Sequence, residues 1–379
     1  MAKSVPSLWK IAAAPALAVA CLAAWAASSP AFAMDSGWIT RDQQILQLQA
    51  TVDRMRGQDR AGGWPAIAAG PALRMGATDP RLPALRRRLG MAADESQFDL
   101  ALHRAVRAFQ LSHGLPADGV VGEQTRAALN VPLATRLAEI ESNLARWRQQ
   151  PDAPAGRYIL VNIAFMELHA VNTGQVDFAT RVIVGKPTSQ TPMFEAAVRG
   201  IDFSPYWNIP ARIAQAEILP RARRDPAYLA RNQIEPTPDR PGQWRQRPGP
   251  HNALGLIRFD LPNRYNVYLH DTPEKRLFEQ PLRMFSHGCV RVQDPARLAA
   301  WLLEPAGTWT ADAVQSAMAD GISRRIDLPA PVPVRFVYFT VWANAEGVVE
   351  FRPDLYGLNA STIVRYASDH TAGSCAAKG

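Results

Sequence analysis

Apolar positions recur along this chain with two different periods, and the change falls near residue 157. Ile45, Leu46, Leu48, Val52 and Met55 predict an amphipathic helix between Trp38 and Met55, broken by Gly62-Gly63-Trp64-Pro65. Leu82, Leu85 and Leu89 mark one face of a second helix, and Leu102, Val106 and Phe109 recur at i, i+4 and i+7 on a third. Asp118-Gly119 signals a turn, and Gln124 to Leu129 a further short helix. Leu133, Leu137, Ile140, Leu144 and Trp147 then alternate spacings of four and three, which predicts a connecting helix with one apolar stripe, ended by Pro151 to Gly156.

From Tyr158 the period drops towards two. Tyr158 to Ile163, Phe178 to Val184, Ala197 to Phe203 and Val267 to Leu269 read as strands, with Asn172-Thr173-Gly174 as the turn between the first two. A helix is expected at Pro295 to Leu303. Arg335 to Ala343 and Val348 to Phe351 read as a strand pair around Asn344-Ala345-Glu346-Gly347. The expected class is therefore α+β: a mainly β domain preceded by a small all-α unit and scaffold helices. Residues 211–255 interrupt the strands with eight arginines, four acids and a proline-rich run, and an insertion of that size in a compact domain suits an ordered lid over a site. The boundaries are a leader at 1–33, a scaffold segment at 34–78, the helical unit at 79–132, the linker helix at 133–156, the β domain at 157–328, the strand pair at 329–359 and a tail at 360–379.

The leader is read from Lys3 and Lys10, the apolar stretch Ile11 to Ala27 and the small-x-small triplet Ala31-Phe32-Ala33, which together predict a cleavable secretory signal and a periplasmic protein. The alternatives are an uncleaved signal serving as membrane anchor and a lipid on Cys21, although Ala18-Val19-Ala20 matches a lipobox poorly. Removal of two lysines and no acids takes the net charge from +8 to +6. A modest basic excess suits an anionic polymer, and secretion favours the wall over nucleic acid. Cys289 and Cys375 then remain. They allow one disulfide in an oxidising compartment, but Cys375 lies in a small-residue tail and the sequence around Cys289 suits a thiol kept for chemistry. His103, His113, His169, His251 and His370 lack ligand spacing, so no metal is expected, and no phosphate or dinucleotide loop occurs, so no cofactor is expected.

Two stretches carry resemblances. Ala105 to Gln110, followed by His113-Gly114-Leu115-Pro116-Ala117-Asp118-Gly119-Val120-Val121-Gly122, resembles a peptidoglycan-binding repeat. Its recognisable residues are mostly structural, so the likeness speaks for a three-helix fold more than for glycan affinity. Tyr268-Leu269-His270-Asp271-Thr272-Pro273 and Ser286-His287-Gly288-Cys289-Val290-Arg291-Val292 resemble the signature of L,D-transpeptidase catalytic domains, supported by Trp207-Asn208-Ile209-Pro210 and by Gly249 to Gly255. The domain order resembles the large Gram-negative subtype with a capping insertion.

The resemblance implies Cys289 as nucleophile and His270 as its general base. The residue types fit, because an unperturbed thiol ionises at about pH 8.5 and needs a neighbouring imidazole to take its proton at neutral pH. A backbone carbonyl at or near Asp271 would hold the imidazole tautomer. Strand alternation turns the Asp271 carboxylate away from His270. Gly288 allows close backbone approach, and the amides of Gly288 and Cys289 are the expected oxyanion donors. His287 is either a second base or a histidine fixing the loop. Arg291 stands where shorter members of the family carry asparagine; it could steady the thiolate, bind a substrate carboxylate or pair with a surface acid. Tyr268, Trp207 and Tyr206 are expected to line the cleft, Ser286 and His287 to bind substrate beside them, and Arg221, Arg223 and Arg224 to face wall carboxylates.

The implied reaction is 3→3 cross-linking of peptidoglycan stem peptides from a tetrapeptide donor, with glycan strands as a further partner and the membrane engaged only through the leader. The rivals are an L,D-carboxypeptidase, attachment of a lipoprotein or a free D-amino acid through the same thioester, and a non-catalytic wall-binding protein. A papain-like peptidase is disfavoured, since its cysteine precedes its histidine.

Overall fold

The computed structural model describes residues 40–359 and the backbone of 367 and 368. The leader at 1–33, with Cys21, and Cys375 in the tail lie outside the described residues. Among those described, no helix is long and apolar enough to cross a membrane, and no group of three His, Cys, Asp or Glu side chains could hold a metal ion.

The first helix, α1 (Arg41–Arg60), opens on a reciprocal cap between Thr40 and Gln43. Three short helices follow, α2 (Leu82–Arg88), α3 (Leu100–Ser112) and α4 (Glu123–Leu129). They bury Leu82, Leu85, Leu102, Val106, Phe109 and Leu129 in a core of their own. Ile67 and Leu73 join that core, and Leu73 bridges to Val121, so the small unit begins ahead of the expected residue 79. Gln110 explains its sequence signature. The buried amide donates to Asp118, the Val120 carbonyl and Thr125, and accepts from Gly119 N–H. Gly119 has φ +73°, and a Cβ there would sit 2.1 Å from the His103 ring, so only glycine fits.

α5 (Leu133–Gln149) packs along α1. Together they bury Leu48, Val52, Ile140, Leu144 and Trp147 against Tyr158, Leu160, Val337 and Phe339 of the β domain. Gln44 fixes the junction, donating to the Ala343 carbonyl and accepting from its N–H.

The β domain begins with β1 (Arg157–Asn162), β2 (Glu167–Asn172), β3 (Gln175–Gly185) and β4 (Phe194–Phe203). The insertion comprises β5 (Trp207–Ile209), α6 (Ala211–Ile213), a π-helical turn at Ala214–Ile218, α7 (Leu219–Arg224), α8 (Tyr228–Arg231), β6 (Ile234–Pro236) and β7 (Trp244–Gln246). Then come β8 (Ile257–Asp260), β9 (Leu269–His270), β10 (Met284–Ser286), β11 (Val290–Val292), α9 (Pro295–Leu303), α10 (Ala311–Ala319), β12 (Arg324–Val337), β13 (Val341–Ala343), β14 (Val349–Phe351) and β15 (Ala367–Ser368).

The large sheet runs β10-β3-β11-β9-β8-β4-β12-β1-β2, and the pairing of β2 with β3 closes the path into a ring. Its inner face, including Ile159, Leu168, Ile201, Phe259, Leu269, Val290 and Phe336, forms the main core with α9 and α10.

Three features depart from the sequence reading. The Asn172–Gly174 turn joins β2 to β3, and β2 itself was not expected. The last long strand, β12, runs from Arg324 to Val337 and lies between β4 and β1, so the sheet continues across the expected boundary at 328. The final strand pair is β13–β14, a separate two-stranded sheet. Arg335 to Val337 belong to the ring instead, as the end of β12, whose alternating Val334 and Phe336 face its core.

Candidate active site

Strand register places the chemistry on the outer face of the ring. β9 and β11 are parallel neighbours with Leu269 opposite Val290 and His270 opposite Arg291. Leu269, Val290 and Val292 point into the core. Alternation therefore puts Tyr268, His270, Cys289 and Arg291 together on the opposite face. Register continues the row outwards, since His270 faces Arg258 on β8 and Arg258 faces Asp202 on β4. The Arg258 guanidinium binds Asp202 at 2.8 Å and lies 4.8 Å from the Tyr268 ring centre.

His270 is buried, and its Nδ1 lies 2.5 Å from the carbonyl oxygen of Asp271. A carbonyl only accepts, so the neutral ring carries its proton on Nδ1 and leaves Nε2 basic. Burial, and next the cation of Arg291, push this imidazole down to about 4. The ring is thus uncharged at neutral pH. Asp271's carboxylate turns elsewhere: it accepts from Leu256 N–H at 2.9 Å and pairs with Lys275. It also packs on Gly255, where φ is +65° and a Cβ would lie 2.4 Å from the Asp271 carboxyl carbon.

Cys289 is a free, part-buried thiol whose Sγ lies 3.7 Å from the Asn266 carbonyl oxygen. Burial raises its pKa, opposed by the Tyr268 backbone and by the charges of Arg291 and Arg258. Thiol and imidazole are accordingly both neutral at rest. The carbonyl at residue 266, rather than the ring of His270, is the hydrogen-bond partner of the sulfur here.

The turn before Cys289 is built by Ser286 and Gly288. Gly288 has φ +117°, and its N–H donates to Ser286 Oγ at 3.1 Å. Of the two expected oxyanion donors, the Gly288 amide is therefore already engaged, because the turn folds it back on Ser286. Ser286 is buried and serves this turn. His287 projects outwards, 2.7 Å from Glu217 of the insertion and 3.4 Å from Lys186. Arg291 pairs with Glu274, the surface-acid option among those left open for it.

The insertion carries its own small core of Ile209, Ala214, Ile218 and Ile234, with Trp207 packed against it. Trp207, half-buried on β5 at the edge of the three-stranded sheet β5-β7-β6, thus takes part in the insertion's own packing. Tyr206 is exposed with the Arg245 guanidinium 4.4 Å from its ring centre. Tyr268 stands on the face that carries His270, with the Arg258 guanidinium over its ring. Arg223 and Arg224 are exposed, and Arg221 reaches the Tyr228 hydroxyl at 3.5 Å. Asn252 holds the 249–255 segment, donating to the carbonyls of Pro205 and Arg247 and accepting from Leu254 N–H. Glu217, Arg258 and Asn266 escaped the sequence reading. Each reaches the site through register or loop closure and belongs to no local motif.

Residues 156–323 match the profile of the L,D-transpeptidase catalytic domain. The chain carries an L,D-transpeptidase domain. Ahead of it, residues 87–129 match a "Putative peptidoglycan binding domain". A Haemophilus influenzae protein described as "Putative L,D-transpeptidase" is 31% identical over 237 residues, which cover 58% of this chain and 47% of that protein. The chain thus matches about half the length of that relative. Among solved structures, the L,D-transpeptidase of Xylanimonas cellulosilytica (residues 123–326) is 20% identical, covering 71% of this chain and 99% of that one at a TM-score of 0.25. The L,D-transpeptidase of Mycobacterium smegmatis is 14% identical, covering 49% and 60% at 0.28. Superpositions this loose carry no argument. The L,D-transpeptidase domain rests on the matched segment, whose 156–323 span contains His270, Cys289 and the whole insertion.

Proposed function

We propose that this chain is a cysteine-dependent L,D-transpeptidase that makes 3→3 cross-links in peptidoglycan outside the cytoplasm. One observation supports it above the others: β9 and β11 are parallel neighbours with His270 opposite Arg291, and Cys289 directly precedes β11. In this reading the Cys289 proton passes to His270 Nε2 as sulfur attacks the carbonyl of the third, L-configured residue of a donor tetrapeptide. The terminal D-alanine leaves as the amine, taking that proton, and a thioester remains on Cys289. The side-chain amine of a second stem then attacks the thioester, gives its proton to His270 and releases the thiol. Charge on the tetrahedral oxygen is met by the Cys289 amide, joined by the Gly288 amide when Ser286 lets it go. Arg258 and Arg291 favour the thiolate through their charge. The helical unit would bring the domain to its polymer.

Purified mature protein incubated with tetrapeptide muropeptides tests this. Mass spectrometry should find 3→3 dimers with wild type and none with Cys289→Ala. Dimers from the alanine variant would sink Cys289 as nucleophile, and tripeptides without dimers would make water the acceptor.

A further inference from the structure

A second loop, Gly185 to Thr191, lies against the nucleophile turn and is tied to it through one buried hydroxyl. Thr191 Oγ accepts from Gly185 N–H at 2.9 Å and donates to the Gly288 carbonyl at 2.8 Å. A hydroxyl has a single proton, and with one lone pair occupied by the Gly185 amide that proton goes to Gly288. Tyr356 closes the loop from its far side. Its hydroxyl donates to the Gly185 carbonyl at 2.5 Å and accepts from Thr191 N–H at 3.2 Å. The fit is tight, since a Cβ on Gly185 would lie 2.1 Å from the Ser189 carbonyl oxygen. Tyr356 is itself held: its N–H donates to the Tyr338 hydroxyl at 2.9 Å, which donates to Asp354 at 2.8 Å. Both tyrosines lie beyond residue 323, where the match to the L,D-transpeptidase domain ends.

In a trans peptide the carbonyl and the following N–H point in opposite directions. Holding the Gly288 carbonyl on Thr191 therefore fixes where the Cys289 N–H is aimed. The choice matters at this turn, because Gly288 is free to rotate and its own N–H is spent on Ser286. We propose that Thr191, braced by Tyr356, is a positioning residue that aims the Cys289 amide at the developing oxyanion. The proposal rests on the acyl-enzyme reading above. It makes the segment after the family match part of the catalytic apparatus.

The test compares two reactions of the same sulfur in full-length protein: thioester formation from a tetrapeptide stem, which develops an oxyanion, and alkylation by iodoacetamide, which does not. Thr191→Val should lower kcat for acylation about ten- to a hundredfold, short of the ~10²–10³ that accompanies outright loss of such a donor. KM should stay within about twofold, as expected for an interaction made only in the transition state. Thr191→Ser should restore acylation to within about threefold, Tyr356→Phe should fall between, and alkylation should agree within about twofold throughout. Unchanged acylation in Thr191→Val overturns the proposal. So does alkylation that falls in parallel, because the turn has then merely come apart. If wild type forms no thioester, the acyl-enzyme reading fails instead, and the Cys289 amide NMR resonance decides the positioning. A resonance that moves in the valine variant and returns in the serine variant upholds the aim, and an unmoved one overturns it.

Discussion

Glu217, in the π-helical turn of the inserted cap, lies 2.7 Å from the imidazole of His287, one residue before the glycine of the nucleophile turn. The contact ties the insertion to the loop that carries the sulfur. Both side chains are more than a third exposed, so the pair should add less than about 1 kcal/mol to stability. Its effect belongs to the cap's local motion. Glu217→Ala should leave the melting temperature almost unchanged and speed tryptic cleavage at Arg221, Arg223 and Arg224. Equal cleavage rates in the two proteins would show that the cap is held by something else.

The electrostatics of the pair predict a pH profile. His270 must be neutral to take a proton, and burial with Arg291 holds it at about 4. The acid limb of kcat/KM should therefore fall near pH 4. Arg291→Gln removes a cation beside both groups, so His270 should rise and the acid limb should move to higher pH. The thiol, which loses the same charge, should rise too, carrying the basic limb upwards. An acid limb that stays near 4 in the variant would leave burial as its sole cause.

A second histidine makes stability depend on pH. His113 is stacked between Phe109 and Phe351, at 3.8 and 5.1 Å, and burial with nearby arginines pushes it down to about 3. The unfolded chain binds a proton there below about pH 6.5 while the folded chain does not. Its contribution is thus whole above pH 6.5 and is lost as pH falls towards 3. Thermal melts of His113→Phe, which keeps the stack, should drop less between pH 7 and 4 than those of wild type. Parallel drops in the two proteins would exclude His113 as a source of acid lability.

Gly255 tests the support behind His270. A Cβ there would strike Asp271, whose carbonyl holds His270, and the backbone has φ +65°. Gly255→Ala should cost about 1–3 kcal/mol in denaturant melts and lower kcat as the imidazole is displaced. Full activity with unchanged stability would show that the contact relaxes freely.

Much of this was legible from residue order. Helix faces such as Leu102, Val106 and Phe109 reappear in the helical core because local periodicity and burial report the same stripe. The segment around His270 and Cys289 is equally local. What escaped is long-range. β2 was missed because only Glu167 to Ala170 alternate in polarity before Val171 breaks the pattern, too short a run to mark a strand whose two faces are both covered. The packing of Trp207 on the core of the insertion was equally hidden, because a motif tells which residue is present and not what it packs against. Thr191 and Tyr356 meet across 165 residues, and no spacing rule connects them.

The ring has a keystone. β12 fills the slot between β4 and β1, joining Ile159 to Val334 and Phe203 to Arg324, yet it is the last long strand to be synthesised. A chain emerging amino end first has its cysteine and histidine in hand long before the wall that carries them can close. Closing the ring on which Cys289 and His270 stand therefore depends on a strand that lies after both of them in the chain.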